Sequence, residues 1–220
     1  MSLDKNIEIY EVPDKICVVR NWFSEEELNL IMQEMFLLCD SNVMLTAGHN
    51  DPYAAIDLQN EPLKKGHGIF LNGLYNYNET LLYEKFKSYE FSEKLFSEEF
   101  ICALEKKNEY YSQLRDMKLK HILVNYYENK GEYKLHVDVF PFSAIVVLWK
   151  KPKKFEGGKL LFTAKELDFN IDFNTMVLFP GKVWHGVTPI VTKEKFRKYD
   201  YSGRFSIVHF IHNKNGETNE

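Results

Sequence analysis

After Met117 the chain becomes a succession of short runs rich in Val, Ile, Phe and Tyr, punctuated by Gly, Pro and Asn. The candidate strands are 120–127, 133–139, 143–150, 159–163, 168–171, 175–179, 183–188 and 203–211. Parallel neighbours would need crossovers of a dozen residues or more, usually helical, and no helical pattern lies between these runs. Short strands in direct succession therefore predict a sandwich or jelly roll. The preceding half reads differently. Ile16 to Val19 suggests a short strand, and Ser24-Glu25-Glu26-Glu27 is a capping box. Leu28, Ile31, Met32, Met35 and Phe36 recur at helical spacing, which predicts an amphipathic helix over 25–38. Residues 78–116 turn helical again, with Ser97 as a cap and Phe100, Ile101, Leu104, Tyr111 and Leu114 on one face. These helices are expected to buttress one sheet of the jelly roll.

Between them, residues 40–67 are polar and irregular, with Gly48, Pro52 and Pro62 as punctuation. A loop of that length is expected to act as a lid or binding loop. The 220 residues suit one domain over 1–220: a helical support over 1–117, a jelly-roll core over 118–212 and a disordered tail over 213–220. A hydrophobic content of 45% supports a real core, while the net charge of -4 argues against a nucleic-acid surface. Cys17, Cys39 and Cys102 are scattered and lack metal-binding spacing, which points to a reducing compartment. No apolar leader or membrane span is visible, so a cytoplasmic location is expected.

In Tyr133-Lys134-Leu135-His136-Val137-Asp138-Val139, strand alternation is expected to pack Leu135, Val137 and Val139 on one face. His136 and Asp138 then share the other, an imidazole and a carboxylate within reach of one ion. A lone His-x-Asp is weak, and needs context. The context is the apolar run Thr175 to Phe179, closed by Pro180-Gly181 and followed by His185. Two histidines and one carboxylate on facing strands make the facial triad of non-heme Fe(II) oxygenases. For His185 a structural histidine or a zinc ligand remains an alternative. On the last strand Arg204 and Ser206 share a face, with Phe205, Ile207 and His209 on the other. An arginine directed into an apolar barrel requires an anionic partner. A dicarboxylate co-substrate supplies one, with the Ser206 hydroxyl adding a hydrogen bond. An internal Arg–Glu or Arg–Asp bridge is the competing reading.

The ordered set of motifs over 120–211 resembles the double-stranded β-helix core of the 2-oxoglutarate/Fe(II) oxygenases, specifically the prolyl 4-hydroxylase-like branch. The matching pieces are Val124-Asn125-Tyr126, Tyr133 to Asp138, the apolar run Ala144 to Trp149, and Gly157-Gly158-Lys159-Leu160-Leu161-Phe162. Phe179-Pro180, His185-Gly186-Val187-Thr188-Pro189 and Arg204-Phe205-Ser206 continue the match in order. The resemblance implies that His136, Asp138 and His185 ligate iron and that Arg204, with Ser206 beside it, pairs with the distal carboxylate of 2-oxoglutarate. It implies a co-substrate hydrogen bond from Tyr126, which aligns by motif, although Tyr127 fits by distance from His136. Tyr133 matches a position that touches substrate, which simple alternation allows only if its strand bulges or begins there. Two departures concern substrate. Prolyl 4-hydroxylases usually carry a lysine where Arg204 stands, and the stretch from His185 to Arg204 is lengthened by a polar insertion, Thr192 to Ser202.

The activity so implied is a dioxygenase that uses Fe(II), 2-oxoglutarate and O2, with ascorbate as a candidate reductant, to hydroxylate an unactivated C–H. Asp138 favours hydroxylation, since related halogenases lack this carboxylate. The branch suggests a prolyl residue in a peptide or protein, clasped by the 40–67 loop and by Tyr53, Tyr133 and Trp184. A free amino acid or other small metabolite is the alternative substrate, and an inactive jelly-roll binding module the alternative outside enzymes. No nucleic-acid or membrane partner is expected.

Overall fold

A computed structural model describes residues 6–11, 15–46, 55–162, 171–192 and 200–213 of the chain. The first half contains β1 (Ile7–Tyr10), β2 (Ile16–Arg20), α1 (Glu25–Asp40), β3 (Leu45–Thr46), β4 (Lys64–Lys65) and β5 (His67–Phe70). Four helices follow, α2 (Leu71–Leu74), α3 (Glu79–Lys85), α4 (Lys87–Phe91) and α5 (Glu98–Lys107), with 3-10 segments Ser92–Phe96 and Glu109–Asp116. The second half is β6 (Leu119–Tyr127), β7 (Glu132–His136), β8 (Phe142–Trp149), β9 (Phe155–Gly157), β10 (Leu160–Phe162), β11 (Thr175–Pro180), β12 (His185–Val187), β13 (Ile190–Thr192) and β14 (Arg204–His212).

All strand pairs are antiparallel. They form a large sheet ordered β1-β2-β11-β8-β14-β6-β5-β3 and a small one ordered β10-β12-β7-β4, with β13-β9 as a separate pair. The jelly roll with buttressing helices expected from the strand succession is the fold observed. Its large sheet is covered on both faces, which explains why β8 is buried along its whole length and reads as an unbroken apolar run. One face packs on the helices. There Ile31, Met35 and Leu38 of α1 and Phe100 and Leu104 of α5 meet Ile122, Val146 and Ile207. The other face meets the small sheet through Ile145, Val147 and Val208 against Leu160, Phe162 and Val187. Alternation along each central strand thus divides its side chains between two cores. On β14, Phe205, Ile207 and Ile211 go to the helices, while Arg204, Ser206 and Val208 face the gap between the sheets.

The capping box at α1 is complete: Glu27 N–H donates to Ser24 Oγ at 3.2 Å and Ser24 N–H to Glu27 Oε2 at 2.9 Å. No helix among the described residues is long and apolar enough to cross a membrane.

Several expectations need correction. The stretch 40–67 is not wholly irregular: β3 and β4 lie inside it, and β4 pairs with β7. Polar composition hid β4, because it is a two-residue edge strand made of lysines. Short β1, β9 and β13 escaped notice for similar reasons of length. β7 ends at His136, so Asp138 belongs to the connection after it, and Leu135, Val137 and Val139 do not pack on a core: they are 44%, 40% and 77% exposed. β7 belongs to the thin outer sheet, whose far face meets water. His212 ends β14 beside His121, with ring centroids 4.8 Å apart. Tyr53, the expected strand at 168–170, most of the 192–202 insertion and the tail from 214 lie outside the described residues.

Gly181 fixes the connection that carries Asp138. Its carbonyl accepts the Asp138 N–H at 2.8 Å and its own N–H donates to Pro141 O at 3.0 Å. A Cβ at this position would stand 1.9 Å from Phe140 O, so the two backbones approach this closely only with glycine. Gly181→Ala is expected to destabilise the fold by about 1–3 kcal/mol in a urea titration, as overpacking against backbone does. A change too small to resolve would contradict this packing.

His209 carries a second testable consequence. It is 1% exposed on the helix side of β14, and neither ring nitrogen has a hydrogen-bond partner among the described residues. Burial, with added repulsion from Lys120, pushes its pKa down to about 3. An unfolded histidine titrates near about 6.5, so between these values the unfolded chain holds more protons. Stability is then complete above the unfolded value and falls as pH drops through the window. His209→Leu is expected to lose less Tm than the wild type between about pH 7 and about pH 5 in thermal melts, whereas an equal loss would contradict this.

Candidate active site

The gap between the sheets contains a cavity of about 400 Å³. His136 closes β7 and His185 opens β12, and the two residues face each other in the antiparallel register. Each imidazole is oriented by its own chain. His136 Nδ1 lies 2.9 Å from Lys134 O, and His185 Nδ1 lies 2.9 Å from Val183 O. A carbonyl only accepts, so both Nδ1 atoms carry the proton and both Nε2 lone pairs point into the cavity. Asp138 completes the group. Its Oδ1 is 3.7 Å from His136 Nε2 and its Oδ2 is 3.5 Å from His185 Nε2. One ligand atom from each residue lies within 4.8 Å of the others.

The electrostatics suit a cation. His136 and His185 are 6% and 3% exposed, and burial pushes both pKa values down to about 4, with His185 adding to the effect on His136. Both rings are therefore neutral at physiological pH, the form that ligates metal. Burial raises Asp138, and the Ser143 hydroxyl, donating to Oδ2 at 2.5 Å, opposes that rise. Two neutral imidazoles and a carboxylate on one side leave the cavity side open, as in the 2-His-1-carboxylate arrangement.

Arg204 enters from the large sheet. It is 1% exposed, and Nε and both terminal nitrogens lack a hydrogen-bond partner among the described residues. No carboxylate among the described residues pairs with it. Burial lowers its pKa to about 10, so it remains charged. Its guanidinium carbon lies 5.7 Å from the centroid of the Tyr127 ring. Ser206 is next on the same face, with Asn125 Nδ2 donating to its Oγ at 3.5 Å, and Asn125 Oδ1 is buried with no hydrogen-bond partner among the described residues. The buried Arg204 donors, open among the described residues, fit the carboxylate of a bound dicarboxylate.

The structure changes two of the aromatic assignments. Tyr126 points away from the cavity into the helix-side core, 4.6 Å from the Phe205 ring centroid, and its hydroxyl accepts the Gly203 N–H at 3.1 Å. Tyr127 lines the cavity instead, opposite Arg204 in the β6–β14 register. Motif alignment favoured the wrong neighbour, whereas strand alternation from Arg204 across that register selects Tyr127. Trp184 is 52% exposed and does not line the cavity. Tyr133 does line it, stacked on the His136 ring at 3.7 Å with an interplanar angle of 16°. The register slips between the His185–His136 and Val187–Tyr133 pairs, an irregularity that lets residues three apart share a side. The Tyr133 hydroxyl accepts the Ala55 N–H at 3.1 Å. Sequence reasoning missed Ser143, Asn125 and Lys64, all brought to the site. Asn125 was findable, since it alternates with Tyr127, but nothing local marks Ser143 or Lys64.

Residues 122–212 match the family model described as 2OG-Fe(II) oxygenase superfamily. No curated protein matches the chain in sequence. Among solved structures, a prolyl-4-hydroxylase of Pseudomonas putida is 12% identical, with a TM-score of 0.58 over 91% of this chain and 93% of that one. A prolyl hydroxylase of Trichoplax adhaerens, in complex with a hypoxia inducible factor oxygen degradation domain peptide fragment, is 13% identical with a TM-score of 0.56, covering 90% and 84%. A 2OG-Fe(II) oxygenase family oxidoreductase of Burkholderia pseudomallei is 12% identical with a TM-score of 0.55, covering 93% and 88%. At such identities these likenesses concern the fold. The family supplies the cofactors Fe(II), 2-oxoglutarate and O2, which the donor set and the open guanidinium fit. Residues 122–212 match the 2OG-Fe(II) oxygenase superfamily and form a 2-oxoglutarate-dependent non-heme iron dioxygenase domain, and the chain shares its fold with the prolyl-hydroxylase structures.

Proposed function

We propose that this dioxygenase hydroxylates an unactivated C–H, on a prolyl residue of a peptide or protein. In this reading His136, Asp138 and His185 hold the metal, and Arg204 clamps the distal carboxylate of 2-oxoglutarate, with Ser206 and Tyr127 beside it. The observation that carries it is the Arg204 guanidinium, without a hydrogen-bond partner among the described residues, lining the same cavity as the three candidate ligands. Bound Fe(II), 2-oxoglutarate and O2 supply the oxidising chemistry, ending in succinate, CO2 and a hydroxylated substrate.

The protein's own contributions are positional. Neutral Nε2 atoms are held in place by Nδ1–H bonds to backbone carbonyls, so the donors need no proton loss before binding metal. Ser143 orients the Asp138 carboxylate. Tyr133, stacked on His136, shields that ring from water. The cavity wall formed by Val137, Val139 and Phe140 is apolar and leads from the metal ligands to the surface, which suits a pyrrolidine ring. A peptide substrate is supported by analogy with the Trichoplax neighbour, which was solved with a peptide fragment.

The test combines spectroscopy and mass measurement. Anaerobic protein with Fe(II) and 2-oxoglutarate is expected to develop a weak visible charge-transfer band, and in air to form succinate. Asp138→Ala should lose the band and lower turnover by at least about 100-fold, since one anionic ligand is gone. Proline-containing peptides from a library should gain the mass of one oxygen while proline-free ones do not. An Asp138→Ala variant with undiminished succinate formation would end the oxygenase reading, and oxygen gain confined to proline-free members would end the prolyl reading.

A further inference from the structure

The cavity floor on the large sheet is longer than an anchor and a metal group require. The strand register divides it into rows. Tyr127 and Arg204 form the innermost, then come Asn125 with Ser206 and Leu123 with Val208, and His121 with Phe210 is the outermost. Six residues of β14 separate Arg204 from Phe210, about 20 Å of extended chain, which exceeds the span of a five-carbon diacid. The metal group lies level with the outer end. Ser143, whose hydroxyl donates to Asp138, pairs with Phe210 from β8, the other neighbour of β14. A molecule oxidised at the metal therefore lies beside the outermost row.

That row is aromatic. Phe140, on the connection that carries Asp138, stands 5.0 Å from the Phe210 ring and 5.8 Å from the His121 ring. All three rings line the cavity and are half-buried. The rim continues in Val137 and Val139 of the same connection, 40% and 77% exposed. Burial, with added repulsion from His212, lowers the His121 pKa, so its ring is neutral at physiological pH. Among the described residues lining the cavity, the charged ones are Asp138 in the metal group, Arg204 in the innermost row and Lys64, whose ammonium reaches the Gly68–Asn125 pair. The outermost row therefore carries no charge of its own. A carboxylate there would lose its hydration with nothing to return it, and a cation would stand beside the charge of the metal. Half-buried rings at a cavity mouth gain most from another ring, stacked offset or edge-on. We propose that His121, Phe140 and Phe210 form a subsite for an aromatic side chain of the substrate, on a residue adjoining the one oxidised. The inference rests on the oxygenase reading above and narrows its substrate class.

Binding rather than turnover provides the test. Protein loaded with Mn(II), a redox-inert stand-in for iron, and 2-oxoglutarate is titrated in a calorimeter with acetylated dipeptide amides. Three series, X-Pro, Pro-X and Ala-X, carry Phe, Tyr, Gly, Glu or Lys at X. In at least one series Phe or Tyr is expected to bind at least about tenfold tighter than Gly, as burying one ring implies. Phe140→Ala should cut that ratio to less than about threefold, and His121→Phe, which keeps a ring in place, should retain it. Equal affinity across X, a preference for Glu or Lys, no binding in any series, or a Phe140→Ala variant that keeps the full ratio would each overturn the proposal. The first three need no variant to fold. A ring preference as strong in Ala-X as in the proline series would uphold the subsite and count against the prolyl reading. A wild type that fails to bind 2-oxoglutarate at all would instead overturn the oxygenase reading from which the proposal starts.

Discussion

A guanidinium buried among apolar strands, with no carboxylate among the described residues to meet it, is the constraint on which the rest of this structure turns. Desolvating such a charge costs several kcal/mol, roughly, unless something returns the lost hydrogen bonds. Arg204 sits in the middle of the large sheet, between Tyr127 on one neighbour and Trp149 on the other. It cannot swing to solvent from there. In the proposed reading a dicarboxylate that also reaches the candidate metal ligands His136, Asp138 and His185 returns those bonds. The neighbouring polar groups, the Asn125 amide and the Ser206 hydroxyl it donates to, extend the same polar floor.

Two sheets share the labour. The large one, covered by helices on its far side, carries Arg204, Ser206 and Asn125 on its cavity face. The small one supplies both histidines on adjacent strands, and the connection after β7 supplies Asp138. That connection leaves regular pairing, so its position depends on the Gly181 contacts and on Ser143 of β8. The candidate metal ligands are thus tied to the large sheet by two bonds to Asp138. Displacing either sheet would separate ligands from anchor, which makes packing and chemistry inseparable here.

Much of this was legible in the order of residues. Period-two alternation correctly paired Arg204 with Ser206, because β14 is long, central and regular. The capping box at Ser24 was read correctly because its partners are three residues apart. The same alternation misled around His136. It assumed a strand through Val139, but β7 stops at His136, and the register slip puts Tyr133 on the side that simple counting denied it. Asp138 reaches the centre through a backbone connection, for which sequence offers no period. Tyr126 was preferred over Tyr127 on motif alignment, although register with Arg204 selects the other. Lys64 was invisible, since its neighbourhood is polar and only pairing with β7 and the gap at Gly68 give it a place in the cavity.

The central claim is that Arg204 exists to meet a distal carboxylate, and ligand chemistry tests it most directly. Affinities of 2-oxoglutarate and 2-oxobutyrate, which lacks that carboxylate, are measured by calorimetry on the Mn(II)-loaded wild type and on Arg204→Met. The account predicts that the wild type prefers 2-oxoglutarate by on the order of 100-fold, as truncating one side of a buried charge pair implies, and that the variant treats the two ligands alike. A wild type indifferent to the distal carboxylate, or a variant that keeps the preference, would contradict it.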